Sequence, residues 1–184
     1  MVEQGEDAPA FRLPGIENGV TDTYDLYELT GQGKAVLLVF YPFDFSPVCT
    51  NELCAIRDAE WFELTPDLEV WAISSDSVHA HRAFAEKYDL NFPLLSDSHG
   101  SVATWYDVCY DQWEDHECVP RRGVILVSAD NTIRYVWQTD DAYKKPDFFP
   151  VKEAIDDLRD DRDDFDIPEV EIAVEYDAGP GEVR

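Results

Sequence analysis

Cys49 follows a continuous apolar run, Ala35–Tyr41, by eight residues and opens a stretch that favours helix. A helix start presents free backbone N–H groups and the positive end of the dipole, so it stabilises an anion. A thiolate is favoured there, and the chemistry it suggests is nucleophilic or redox. The plain alternative is an inert core cysteine, but the strand-to-helix junction weighs against it. In Ser46-Pro47-Val48-Cys49 a serine occupies the place where a C-x-x-C dithiol would carry its other cysteine, so direct dithiol exchange is not available in that slot. Cys54 follows five residues on. Cys109 and Cys118 flank His116 further along; they are placed to pair or to act as a second relay, and as a zinc site they lack a tight Cys-x-x-Cys and a full ligand set. His79 and His81 read as solvated helix residues, and the Trp and Phe residues as core or surface aromatics.

The elements that must position Cys49 are legible. Ala35–Tyr41 reads as a strand buried on both faces, ended by Pro42. From Cys49 to about Leu64 the chain favours helix, with no Gly or Pro before Pro66. Leu68–Ser74 is a second strand, and Ser77 caps a helix running to about Tyr88. A short helix is predicted around Ser101–Tyr106, then a loop over Asp107–Pro120. Gly123–Val127 and Thr132–Trp137 flank the turn Asp130-Asn131 as a hairpin, and Val151–Leu158 is a last amphipathic helix. The order βαβα…ββα is that of an α/β, thioredoxin-like domain: a central mixed β-sheet flanked by helices, over residues 1–160. Residues 161–184 read as an acidic tail.

Composition narrows the partners. The 184 residues carry 40 acidic and 14 basic side chains, a net charge of −26, which excludes the clustered Lys and Arg of a nucleic-acid surface. At 45% hydrophobic and 13% aromatic the chain buries a real core despite that charge. Carboxylates hold water and cations, and screening shortens to about 3 Å at 1 M salt, so the surface suits a salt-rich, halophilic cytoplasm. The apolar run Ala35–Tyr41 is far short of the roughly twenty residues of a membrane span. Met1–Asp7 lacks the basic and apolar regions of a signal peptide, so the expected location is cytoplasmic. In a reducing compartment four cysteines are better read as catalytic, redox-active or metal-binding than as a disulfide scaffold.

The stretch Phe40-Tyr41-Pro42-x-Asp44-Phe45-Ser46-x-Val48-Cys49-Thr50-x-Glu52-x-Cys54-x-x-Arg57-Asp58 resembles the active-site motif of the peroxiredoxins, and within them the peroxiredoxin Q (bacterioferritin-comigratory protein) subgroup. Gly5-x-x-Ala8-Pro9-x-Phe11-x-Leu13 and Arg122–Val127 extend the likeness over roughly residues 5 to 160. The resemblance implies a thiol-dependent peroxidase that reduces hydrogen peroxide and organic hydroperoxides without haem, flavin or metal. It assigns Cys49 as the peroxidatic cysteine, Cys54 as the resolving one, Pro42 as a steric shield, and Ser46, the backbone N–H of Cys49 and its neighbour, and an arginine as donors to the peroxide. Arg122 matches the family arginine, with Arg121 the alternative on the opposite face. Glu52 fits the pattern as a partner of Arg57, as an acceptor for a backbone N–H, or simply as a charge at the helix start.

Such donors are needed because thiolate formation alone gains little. Lowering a cysteine pKa from about 8.5 to about 6 raises the thiolate fraction at pH 7 roughly thirtyfold, yet reduced nucleophilicity takes back about tenfold. The rest must come from stabilising the stretched O–O bond. Across an intact helix, a five-residue step is a rise of about 7.5 Å and a rotation of about 140°, beyond disulfide reach, so the implied Cys49–Cys54 bridge requires the first turns to unwind. A thioredoxin- or glutaredoxin-like reductant would restore the dithiol. A non-catalytic redox sensor or interaction protein and a general thiol-disulfide oxidoreductase are the competing readings, and monomer and homodimer both stand open.

Overall fold

The computed structural model describes residues 2–59, 65, 67–113 and 115–160; the acidic tail and the predicted helical residues 60–64 lie outside them. The chain forms β1 (Arg12–Glu17), β2 (Val20–Asp25), α1 (Leu26–Gly31), β3 (Ala35–Phe40), α2 (Pro47–Arg57), β4 (Leu68–Ser74), α3 (Val78–Tyr88), β5 (Leu94–Ser96), α4 (Ser101–Trp105), β6 (Cys109–Trp113), β7 (His116–Pro120), β8 (Arg122–Val127), β9 (Ile133–Thr139) and α5 (Phe148–Asp160). Seven strands make one mixed sheet in the order β2-β1-β5-β4-β3-β8-β9. β3 runs parallel to β4 and β4 to β5, whereas β8 is antiparallel to β3 and β9 to β8. This is the thioredoxin-like arrangement expected from the element order.

Strand β3 shows why the sheet is covered on both faces. All six of its residues are buried, and the period-two alternation of a strand divides them. Val36, Leu38 and Phe40 join a cluster with Leu26 and Leu29 of α1 and Val102 and Ala103 of α4. Leu37 and Val39 face the other way, into a cluster with Cys49, Leu53 and Ile56 of α2, Phe84 of α3, and Val151 and Ile155 of α5. Burying a side chain such as Leu53, fully enclosed here, stabilises by roughly 1.5–3 kcal/mol, so α2 is held to the sheet by the face that also carries Cys49. No helix among the described residues is long and apolar enough to cross a membrane.

Several boundaries differ from those read in the sequence. The helix carrying Cys49 starts two residues earlier, with Ser46 as N-cap and Pro47 at its first position, where a missing N–H costs nothing. It ends at Arg57, capped by Asp58, rather than running to Leu64. The segment Asp107–Pro120 is not a loop: Cys109–Trp113 and His116–Pro120 pair as an antiparallel hairpin. Strands β1, β2 and β5 had no counterpart in the sequence reading. The close contact between β1 and β5 depends on Gly15, where a Cβ would lie 2.3 Å from Leu95 Cδ2 and 2.9 Å from the Leu94 carbonyl oxygen.

Candidate active site

The strand β3 ends at Phe40, and Pro42, buried, begins a short loop that delivers the chain to α2. Phe45 in that loop adopts a left-handed backbone, φ 60°, which a non-glycine residue holds only against a cost of about 1 kcal/mol. Ser46 is extended, and its carbonyl accepts the first helical hydrogen bond, from Thr50 N at 2.8 Å. Its hydroxyl makes no capping bond and is partly exposed, which leaves it available at the helix start. Cys49 is the third helical residue, so its amide N–H and that of Val48 belong to the first turn, whose donors have no intrahelical acceptor.

Cys49 itself is 0% exposed and is a free thiol. Arg122, the first residue of β8, reaches it: Nη2 donates to Cys49 Sγ at 3.3 Å. The guanidinium is fixed by three further contacts. Nη1 donates to the Glu52 carboxylate, while Nε and Nη2 donate to the Ala142 carbonyl at 3.1 and 2.8 Å. A planar fork fastened on two sides leaves its remaining edge with one orientation, toward sulfur. Arg121, the alternative, points away; it pairs with Asp140 at 3.0 Å and lies over the Tyr110 ring.

Glu52 has a different partner from those read in the sequence. It is one turn after Cys49 on α2 and buried against Arg122, whereas Arg57 pairs with Asp58 at 2.7 Å and donates to the Tyr88 carbonyl. Burial pushes the Glu52 carboxyl up to about 7, with the charge and hydrogen bond of Arg122 pulling the other way. Its second oxygen, Oε1, is buried with no hydrogen-bond partner among the described residues. Arg122 lies above its ordinary value: burial opposes the charged form, and Glu52 and Cys49 outweigh it.

Cys54 is also free and partly exposed, on the same unbroken helix as Cys49. Cys109 and Cys118 are joined as a disulfide with Cα atoms 5.3 Å apart, across the β6–β7 hairpin. Gly100, φ 65°, abuts this bridge so closely that a Cβ would fall 2.7 Å from Cys118 Sγ. The hairpin packs on the loop before α2, with the Trp113 ring stacked on Phe43 at 5.7 Å and 17°. Ala142 left no sequence signal, because a backbone carbonyl has no residue type. His81 differs from the sequence expectation: it is fully buried, not solvated. Its signal was present in the spacing His81, Phe84, Ala85, Tyr88, which is one apolar face of a helix.

A buried cysteine under an arginine fork, at a helix start on a thioredoxin-like sheet, defines a thiol-chemistry protein. The sequence profile of the AhpC/TSA family matches residues 4–136, and the chain belongs to that family. Among its curated relatives, a putative peroxiredoxin bcp of Coxiella burnetii is 38% identical over 140 residues, covering 74% of this chain and 88% of the relative. A chloroplastic peroxiredoxin Q of Triticum aestivum is 33% identical over 136 residues, covering 74% of this chain but 59% of the longer plant protein. These likenesses fall in the bacterioferritin-comigratory and peroxiredoxin Q subgroup. Among solved structures, peroxidoxin BcpB from Mycobacterium tuberculosis superposes with a TM-score of 0.72 at 25% identity, over 88% of this chain and 99% of that one. AhpC of Enterococcus faecalis, at 21% identity and a TM-score of 0.76 over 91% of this chain and 100% of that one, shares the fold.

Proposed function

We propose that this chain is a thiol-dependent peroxidase in which Cys49 attacks a peroxide oxygen, Cys54 resolves the product, and a thioredoxin-type dithiol restores both. The observation that carries the reading is the contact of Arg122 with Cys49 Sγ at 3.3 Å in a buried helix-start site. In the first step the Cys49 sulfur takes one peroxide oxygen, the O–O bond breaks, and the leaving hydroxide or alkoxide takes up a proton. Arg122, the first-turn amides of α2 and the Ser46 hydroxyl are the donors that meet the charge moving between the oxygens. The family resemblance gives Pro42, buried at the start of the loop, the role of shielding the sulfur. Arg122 serves where a lysine would not, because its fork holds the thiolate and its anchors at once and never loses its charge.

In the second step the Cys54 thiolate attacks the Cys49 sulfenic acid, a disulfide forms, the S–O bond breaks, and the expelled hydroxide takes up a proton and leaves as water. Both cysteines sit on α2, so the first turns must open before the sulfurs can meet. The reductant's dithiol then exchanges with the disulfide, leaving Cys49 and Cys54 reduced and the reductant oxidised. Hydrogen peroxide and small organic hydroperoxides are the substrate class, and no cofactor enters these steps. The −26 net charge supports a salt-rich cytoplasm as the setting. The test is peroxide consumption with a thioredoxin system: wild type turns over and Cys49→Ser does not. Turnover in Cys49→Ser overturns the reading.

A further inference from the structure

The loop between β3 and α2 is pinned by a buried polar group that the peroxidase chemistry does not use. His81 on α3 and Asp44 in the loop are in contact, Nδ1 to Oδ2 at 2.9 Å, with side-chain exposures of 0% and 1%. The other ring nitrogen, Nε2, meets the Leu95 carbonyl oxygen of β5 at 3.1 Å. Tyr41 OH donates to the second Asp44 oxygen at 2.8 Å, and the Asp44 amide donates to Asp76 Oδ2 at 2.8 Å. Every polar atom of the Asp44 and His81 side chains is therefore satisfied. Each ring nitrogen faces an oxygen.

Resting on the peroxidase reading above, we propose that His81 is a positioning residue for the peroxide site: through Asp44 it fixes the Pro42–Ser46 loop, and with it Ser46 and the start of α2, against α3 and β5. A buried polar pair adds little net stability over apolar residues of the same volume, and what it can supply is a single geometry. The loop needs one. Phe45, next to Asp44, holds φ 60°, and it is followed directly by Ser46 and the first helical residue, Pro47. Asp44 lies on the sheet side of that left-handed residue, so when α2 opens for Cys54 the pin remains outside the unwound segment and returns Ser46 and the Cys49 amide to register.

The two contacts of His81 can be separated by two amides. Asn at position 81 places its nitrogen where Nδ1 stands and keeps the donor to Asp44; Gln places its nitrogen where Nε2 stands and keeps the donor to Leu95. Each loses one buried hydrogen bond. The readout is the second-order rate of Cys49 oxidation by hydrogen peroxide, with thermal melting measured alongside. His81→Asn should stay within about threefold of wild type and His81→Gln should fall at least about tenfold, as for a displaced catalytic group, with similar losses in melting temperature. Equal loss of rate in both variants, or retention in both, overturns the positioning role and leaves His81 as scaffold. Should His81→Gln not fold, Asp44 carries the test. Asp44→Asn keeps an acceptor for Tyr41 and reaches His81, so its rate should stay within about threefold, while Asp44→Ser is too short and should fall about tenfold; equal rates overturn the proposal. Wild-type Cys49 left unoxidised by peroxide is the separate outcome that contradicts the peroxidase reading itself.

Discussion

Arg122 Nη2 lies 3.3 Å from Cys49 Sγ, although the two residues are 73 positions apart in the chain. The contact joins the helix that follows β3 to the strand hydrogen-bonded beside it, β8. The candidate site thus spans two neighbouring strands of the sheet, with Glu52 and the Ala142 carbonyl holding the guanidinium in place.

That geometry sets the cysteines apart. Cys49→Ser should reduce peroxidase turnover to background, whereas Cys109→Ser, which opens a hairpin bridge and leaves the arginine contact intact, should retain most of it. Initial rates of peroxide consumption on the two purified variants make the comparison. Similar losses in both would place the hairpin cysteines in the catalytic cycle.

Glu52 gives the protein a pH signature. Its carboxyl is raised in the folded state from an ordinary 4.5 to about 7 by burial, so the folded protein binds the extra proton between those values. Stability from this group is therefore fully present below about 4.5 and is lost as pH rises through about 7. Glu52→Gln cannot titrate, so it should gain melting temperature relative to wild type between pH 5 and 8. Parallel profiles for the two proteins would show that the carboxyl is not raised.

The acidic surface makes a claim about salt. With a net charge of −26, self-repulsion should fade as screening shortens, and cooperative unfolding should move to higher temperature from about 0.1 M KCl into the molar range. Calorimetry across that series reads it directly. A flat melting temperature leaves an acidic protein with no adaptation to salt.

The sequence announced some of these features and hid others for physical reasons. The seven-residue apolar run of β3, the Ser77 cap of α3, whose side chain accepts from Ala80 N at 3.3 Å, and the Asp130-Asn131 turn each carry local chemistry that decides their structure. Strand β1 was hidden because Pro14-Gly15 reads as a break, yet Gly15 is there to let Leu95 approach. The hairpin β6–β7 was hidden because eight of its ten strand residues are exposed or only half-buried, so no apolar alternation marks it. In the site, residue types and the family likeness pointed to Cys49, Ser46, Pro42, Cys54 and Arg122. The choice of Arg122 over Arg121 required the direction of the strand. The Glu52 partnership and the buried His81–Asp44 contact join segments 70 and 37 positions apart, and no local pattern encodes such distances.

In the proposed cycle Cys49 is oxidised first and Cys54 resolves it by opening the helix on which both stand. Reduced protein treated with one equivalent of hydrogen peroxide, digested and mapped by mass spectrometry for disulfide-linked peptides, tests this most directly. The expected product is a Cys49–Cys54 link, with amide protection between Thr50 and Ala55 falling on oxidation, and in Cys54→Ser no such fall and over-oxidation of Cys49 to the sulfinic form. A link from Cys49 to Cys109 or Cys118, with Cys54→Ser cycling normally, would contradict it and make the hairpin cysteines the resolving pair.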